Sequence, residues 1–365
     1  LEFLQPIPNG VYRVLFTRDI RDAYGSPVAT NFPVTFTVKG PTEWTNNASG
    51  LWSVGANWNT RAAPLAGDHV VIDRPNATPT VTQSVDATVN TLRSEEPFVL
   101  DGRVLTVRSN AVFNSSFAWN GQTRLNGGVI EWRGGVVASG TANKFLAGTT
   151  VRNAGVFEWR QGGILFNFPG AEFHNLPGAT FLINKAGPPP DTSGFVLNGA
   201  NATGFLRNEG ILRKAGGTEA SFFDGMGFLN TGLIEVTHGT LELGTLTTNA
   251  GTIHVAAGTR LVFGPSIRGG TFEQLPSGRI TGEGTISMEV ASTVDGDYDF
   301  DGTTSITAFR VRFARTLRTK SLAVTASTSG AQNDLVLGDG AVVESLDLRR
   351  RTVGAGALRV LAPAV

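Results

Sequence analysis

The sequence predicts an all-β protein built as a solenoid, in which short strands wind into stacked coils. A phrase of the form Asn-x-Gly followed by a strand-like run recurs at Asn208, Asn230 and Asn249, at intervals of 22 and then 19 residues. The composition agrees with this, because 46 glycines and 17 prolines punctuate runs of Val, Ile, Leu, Phe and Thr. A period of about 20 to 30 residues with Asn/Gly turns and no helix-forming run is typical of a solenoid.

Composition restricts the class of protein further. The 365 residues carry 30 basic and 30 acidic side chains, so no overall field attracts nucleic acid or an anionic membrane. The chain has no cysteine, which excludes disulfides and thiolate metal sites. No apolar window reaches the ~18 residues of a membrane span. No signal peptide opens the sequence, so we expect a piece of a longer secreted protein whose targeting elements lie elsewhere.

Residues 1–40 predict a short β-hairpin. Tyr12, Val14 and Phe16 share one face of the first strand, and the run 34–38 alternates in the same way. Together with the turn formers between them, these strands resemble the C-terminal part of bacterial Ig-like domains. An isolated hairpin is marginally stable in water. Its partner is therefore the rest of a domain outside the sequence, the end of its own solenoid, or a neighbouring chain.

Residues 41–63 are rich in tryptophan. Trp44, Trp52 and Trp58 lie within fifteen residues, and the segment resembles a lead-in found before right-handed β-helix modules of large secreted bacterial proteins. Two interpretations follow. The rings form a glycan-binding platform on which sugars stack, or they cap the open end of the first coil, because solenoids need covered ends to stay soluble.

Residues 64–365 are predicted to form the solenoid body. Further copies of the phrase occur at Asn126 and Asn153, which are 27 residues apart, and a looser copy occurs at Asn175. Projecting loops are expected at 184–201, where three consecutive prolines forbid a ladder strand, and at 137–149. Alternation along each strand then assigns the faces. The residues predicted to point inward are Ile130, Trp132, Phe157, Trp159, Ile234, Val236, Ile253 and Val255. Those predicted to form an outward column are Glu131, Glu158, Arg213, Glu235 and His254, while Lys214 falls on an inward position.

The predicted fold resembles the right-handed parallel β-helix of pectate-lyase-like proteins and of autotransporter or haemagglutinin-type adhesins, and the phrasing from Asn249 to Val255 resembles the adhesin-like bacterial repeats. The resemblance implies a right-handed parallel β-helix on the bacterial cell surface, preceded by the short Ig-like hairpin. It carries no catalytic signature with it.

Two groups of acidic residues are candidate sites. Asp295, Asp297, Asp299 and Asp301 occur at every second position, which is typical of a Ca²⁺ loop, but an EF-hand also needs an acid at its twelfth position. Ser305 and Ile306 occupy that region here. The alternative is a solvated outer strand face. Glu131 and Glu158 would stand near the ~5 Å of a retaining glycosidase pair if they lay on adjacent coils, although structural repetition also places them in equivalent phrases. The four histidines lack metal-ligand spacing.

From these observations we expect a non-enzymatic structural or adhesive module of a large secreted bacterial surface or fibre protein. Its partners would be other copies joined end to end, or a cell-surface glycan or protein. The alternatives are a polysaccharide lyase or glycosidase, with acids, arginine or lysine and bound Ca²⁺ along a groove, and a glycan-binding module that uses the three tryptophans.

Overall fold

A computed structural model of the chain describes residues 10–185, 194–197, 203–264, 270–308, 310–326, 333–338, 340–350 and 358–361. Within these residues the secondary structure is β, apart from one short 3-10 helix, Gly55–Asn57. No helix in this part of the chain is long and apolar enough to cross a membrane.

The strands are short in most coils and longer where one strand continues around a corner. The first half of the chain contains β1 Gly10–Phe16, β2 Phe32–Val38, β3 Thr42–Glu43, β4 Gly50–Leu51, β5 His69–Ile72, β6 Val81–Gln83, β7 Ala87–Val89, β8 Thr91–Ser94, β9 Phe98–Asp101, β10 Val104–Val107, β11 Asn110–Phe113, β12 Phe117–Asn120, β13 Arg124–Asn126, β14 Val129–Trp132, β15 Val136–Ala138, β16 Lys144–Ala147, β17 Thr150–Asn153, β18 Val156–Trp159, β19 Ile164–Phe168, β20 Ala171–Asn175 and β21 Thr180–Asn184. The second half contains β22 Phe195–Leu197, β23 Gly204–Asn208, β24 Ile211–Gly216, β25 Ala220–Asn230, β26 Leu233–Val236, β27 Thr240–Asn249, β28 Thr252–Val255, β29 Arg260–Phe263, β30 Thr271–Gln274, β31 Arg279–Gly282, β32 Thr285–Met288, β33 Ala291–Val294, β34 Asp297–Ile306, β35 Arg310–Phe313, β36 Leu317–Ala326, β37 Asn333–Val336, β38 Val342–Arg350 and β39 Leu358–Leu361.

All strands from β3 onward pair in parallel with strands one coil away, and this pattern makes the body a three-sided parallel β-solenoid. Sheet A comprises β3, β5, β8, β11, β14, β17, β20, β23, the second halves of β25 and β27, β30, β33, β35, β37 and β39. Sheet B comprises β4, β6, β9, β12, β15, β18, β21, β24, β26, β28, β31 and the first halves of β34, β36 and β38. Sheet C comprises the remaining strands of the body. The predicted all-β solenoid with an N-terminal hairpin is thereby confirmed.

The core lies inside the coils, as the alternation predicts. Each of the eight residues assigned to the interior, from Ile130 to Val255, is fully buried. Because strand side chains alternate between faces, one residue in two packs against the coil above and below. In the first half, aromatic rings fill this space: Trp132, for example, stacks on Phe157 with ring centroids 5.6 Å apart.

A buried ladder of asparagines runs along the inner side of sheet A. Asn153, Asn175, Asn208, Asn230 and Asn249 occupy one register column, each fully buried. Each side-chain amide donates to the carboxamide oxygen of the next, at 2.8, 2.7, 2.7 and 2.7 Å. The amides also donate to main-chain carbonyls at the adjoining turn, as Asn208 does to Leu233 O. The ladder thereby satisfies polar groups that would otherwise be buried without partners.

The glycine of the repeated phrase is required by the close approach of neighbouring coils. A Cβ atom added to Gly232 would lie 2.1 Å from the carbonyl oxygen of Gly210, and one added to Gly251 would lie 2.1 Å from that of Gly232. Main-chain atoms block each position, so a side chain there would force the coils apart.

The phrase at Asn126 is not part of this series, which corrects the prediction. Asn126 ends β13 on sheet C and bonds Thr106 at 3.2 Å. Its two following glycines, Gly127 and Gly128, adopt left-handed φ angles of 67° and 59°, so this turn is a different corner. The predicted loop at 137–149 is also wrong, because Val136–Ala138 and Lys144–Ala147 are both ladder strands. Of the predicted loop 184–201, residues 186–193 and 198–201 lie outside the described residues, and Phe195–Leu197 forms β22.

The N-terminal hairpin forms a sheet of its own. Its register places Tyr12 opposite Phe36, Val14 opposite Val34 and Phe16 opposite Phe32, so one face is entirely apolar. Phe32 and Val34 on that face are 43% and 42% exposed, and Val11 on the other is 71% exposed. These three side chains are therefore not covered by the described part of the solenoid, and they give no support to the interpretation of the hairpin as its cap.

Lys214 lies on the inner face of sheet B, between Ile183 and Val236. Its ammonium group is fully buried and donates to the carbonyl oxygens of Gly216 and Gly217. Burial is the main cause that lowers the pKa of Lys214 to about 8, and the positive charge of Lys185 acts in the same direction.

Because the pKa of Lys214 is lowered, we expect the folded chain to become more stable as the pH rises into the alkaline range. Between pH 8 and 10.5 the folded chain binds fewer protons at Lys214 than the unfolded chain, so the free energy of unfolding rises with pH across that window. Relative to a Lys214→Met variant, the wild-type chain should gain about 2–3 kcal/mol from pH 7.5 to 10.5. Thermal unfolding of both chains over this range measures the difference. Parallel pH curves for the two chains would contradict the prediction.

Candidate functional site

The three clustered tryptophans form a cap over the first coil. Trp44, Trp52 and Trp58 are each 1% exposed, with Trp58 packed edge-on against Trp44 and Trp52 at 5.1 and 4.9 Å. Trp58 also donates its indole N–H to the carbonyl oxygen of Trp52 at 2.8 Å. A sugar-stacking platform needs an exposed ring face, and none of these rings has one. The geometry therefore supports the cap and not the glycan platform.

The aspartate row lies on the outer face of sheet B. Asp297, Asp299 and Asp301 are exposed and alternate along β34 with buried Tyr298 and Phe300. Arg318, one coil further on, forms ion pairs with Asp299 and, at 2.7 Å, with Asp301. These partners raise the pKa of the Arg318 guanidinium, and the hydrogen bond that it donates to Asp299 is the main cause. Asp295 stands apart, 3.8 Å from Arg315.

No group of three or more His, Asp or Glu side chains among the described residues has the arrangement of a metal site. The guanidinium of Arg318 pairs with both Asp299 and Asp301, and its positive charge offsets the like charges of the two carboxylates without a metal ion. Ca²⁺ binding by the row stays a prediction.

A concave surface adjoins this row on sheet B. One cavity of about 470 Å³ is lined by His254, Ala256, Ala257, Arg279, Thr281, Gly282, Glu283, Asp299 and Asp301. A second, of about 330 Å³, is lined by Arg279, Asp297, Tyr298, Asp299, Thr316 and Arg318. Arg279 and Asp299 line both cavities, so the two cavities are adjacent. Together they are called the sheet B groove below.

Stacking of four coils builds this groove. The register places His254 next to Thr281, Thr281 next to Asp299, and Asp299 next to Arg318. His254 contacts the Thr281 hydroxyl at 3.2 Å through Nδ1. Arg279 lies beside Asp297 in the neighbouring register column. Among the described residues, neither of these two side chains forms an ion pair within 4.0 Å.

Glu131 and Glu158 do not form a pair. Glu131 lies on sheet A opposite Arg152, whereas Glu158 lies on sheet B opposite Leu182. Glu158 accepts a hydrogen bond from Arg160 at 2.7 Å, which is the main cause that lowers its pKa, and another from Asn184 at 2.8 Å. The proposed glycosidase pair is therefore wrong. The other predicted outward residues, Arg213, Glu235 and His254, do share the sheet B column with Glu158.

Many charged side chains outside the groove bridge successive coils. Arg213 pairs with Glu235 at 2.6 Å, Arg260 with Glu289 at 3.1 Å, and Arg93 with Asp73 at 3.1 Å. In each case the partners are 20 to 29 residues apart in sequence. Exposed pairs of this kind stabilise weakly, by about 0–1 kcal/mol each. Side chains that are paired in this way are nevertheless no longer available to pair with a charged ligand.

The sequence reasoning identified the aspartate row but missed Arg279, Glu283 and Arg318. Arg279 lies on β31, Glu283 lies in the bend directly after that strand, and Arg318 lies on β36; no local pattern distinguishes them from other surface charges. Besides the aspartate row, the outward position of His254 after the Asn-x-Gly phrase was the other local signal for this groove. The remaining members become neighbours only through the register between coils.

In comparisons with known proteins, the chain matches no family model, no curated protein and no solved structure. The similarity to adhesin-like β-helices and Ig-like domains therefore stays a prediction.

Proposed function

We propose that this chain is a non-enzymatic structural or adhesive module of a large secreted bacterial surface or fibre protein. The proposal rests on the direction of the polar contacts in the solenoid, which run from coil to coil. The asparagine ladder and the ion pairs such as Arg213–Glu235 join one coil to the next. Such contacts hold a long stack of coils in register, which is the requirement of a rigid rod that transmits force or spans distance.

The proposal includes joining of copies end to end through the hairpin. The Trp44–Trp52–Trp58 cap closes the first coil, so this end of the solenoid offers no open core to a neighbour. Among the described residues, β1 and β2 pair only with each other, and Phe32 and Val34 on the apolar face of the hairpin are 43% and 42% exposed. Exposed strand edges favour pairing with another chain.

Light scattering after size exclusion tests this joint. We expect the full chain to associate with increasing concentration, and a chain with Phe32→Thr and Val34→Thr on the apolar face to remain monomeric. Thr35→Ser and Thr37→Ser on the opposite face provide a matched control that should associate normally. A full chain that stayed monomeric at all concentrations would exclude end-to-end joining. Electron micrographs that showed compact particles in place of elongated ones would exclude the rod.

A second candidate, polysaccharide recognition or cleavage, is supported by the sheet B groove, since acids and arginines line it as a glycan-active site requires. Incubation with acidic and neutral polysaccharides separates the two activities. Release of shortened products would support a lyase or glycosidase, and retention of intact polymer would support a module that only binds.

A further inference from the structure

We infer that the sheet B groove binds a hydroxyl-rich glycan chain without acidic groups, and that this chain lies along the solenoid axis. This inference rests on the proposed adhesive role and names the class of ligand. The groove crosses β28, β31, β34 and β36, which are three steps of about 4.8 Å, so it runs for about 14 Å. Its length along the axis favours a segment of an extended polymer over a compact ligand.

The unpaired groups of the groove suit hydroxyl groups. Arg279 presents guanidinium N–H donors at the point where the two cavities meet, and the carboxylate of Asp297 presents acceptors in the adjacent coil. A sugar hydroxyl is both a donor and an acceptor, so neighbouring hydroxyls on one ring satisfy both groups at once. Hydrogen bonds to charged partners of this kind are the stronger class.

The balance of charge disfavours anionic ligands. Four carboxylates line the groove, from Glu283, Asp297, Asp299 and Asp301, against the guanidinium groups of Arg279 and Arg318. Arg318 is already held by Asp299 and Asp301. A uronate or sulfate group at Arg279 would therefore face the unpaired carboxylates of Glu283 and Asp297 at close range. Like charges so placed are repulsive.

Apolar ligands fit less well than sugars, whereas amino sugars are compatible with the groove. An amine is repelled next to the guanidinium of Arg279 but attracted by the carboxylates of Glu283 and Asp297. Few apolar side chains line the groove, because Ala256 and Ala257 contribute only methyl groups and the Tyr298 ring is 2% exposed. Binding would therefore depend on hydrogen bonds and on repetition along a polymer, not on ring stacking.

A glycan array of neutral, uronic-acid, sulfated and amino polysaccharides tests the inference with the full chain. We expect binding among the neutral and amino members and little or none among the uronic-acid and sulfated members. Arg279→Gln should then weaken binding of the best neutral glycan about tenfold or more in calorimetric titration. Arg310→Gln is the matched control: this arginine is also exposed, lies on sheet A away from the groove, and changes the net charge equally. Circular dichroism verifies that both variants fold.

A second variant tests the charge argument directly. Asp297→Asn removes one unpaired carboxylate beside Arg279, so binding of a uronic-acid polymer should increase severalfold while neutral binding falls. Binding confined to uronic-acid or sulfated glycans, absence of binding across the array, or equal losses in the Arg279 and Arg310 variants would each overturn the inference. None of these results would affect the rod, which particle shape tests independently.

Discussion

Asn208→Ala is expected to destabilise the central coils by roughly 3–5 kcal/mol. The Asn208 side chain accepts from Asn175 at 2.7 Å and donates to Asn230 at 2.7 Å and to Leu233 O at 3.0 Å. Its removal leaves two buried acceptors without this donor and opens a cavity in a fully buried column. Each orphaned buried group costs about 1–3 kcal/mol.

Hydrogen exchange measured by mass spectrometry locates this effect. Protection should fall most between β20 and β28 and remain near wild type in the first coils, because each coil contacts only its neighbours. Asn126→Ala is the matched control, since Asn126 belongs to a similar phrase but makes one hydrogen bond outside the ladder. The ladder would lose its assigned role if both variants destabilised the chain equally.

Trp52→Ala should cost about 3–5 kcal/mol and should act at the N-terminal end of the same solenoid. The Trp52 ring packs edge-on against Trp58 at 4.9 Å and against Phe98 at 6.0 Å. Its loss admits water to the interior of the first coil and leaves the Trp58 ring without one of its two tryptophan neighbours.

Limited proteolysis and hydrogen exchange should show opening of β3 to β9 in the Trp52 variant, with later coils still protected. Leu51→Ala provides the comparison, because Leu51 directly precedes Trp52, ends β4 and is 45% exposed. That variant should change stability by less than about 1 kcal/mol. Unchanged protection at β3 to β9 after loss of Trp52 would show that the cap contributes little.

Some features of the site were accessible from sequence and others were not. The aspartate row on β34 follows from strict alternation with Tyr298 and Phe300, because strand periodicity is a local property. Its neutralisation by Arg318 was not accessible, since that arginine comes from the next coil. In the same way, three tryptophans within fifteen residues suggested both a platform and a cap, and only their burial favours the cap.

By itself, the sequence determined the repeating coil, the inward and outward faces of its strands, and the presence of asparagines at equivalent turns. These features depend on residues within four or five positions of one another, where backbone geometry fixes which side chains share a face. The tertiary structure decided which phrases share a corner, so Asn153 joins the ladder and Asn126 does not. It also decided which polar side chains become neighbours, because it places His254, Arg279, Asp299 and Arg318 in one groove. The physical reason is that register between coils depends on the length of every intervening turn, and residues some 20 positions apart become neighbours only when the coil closes.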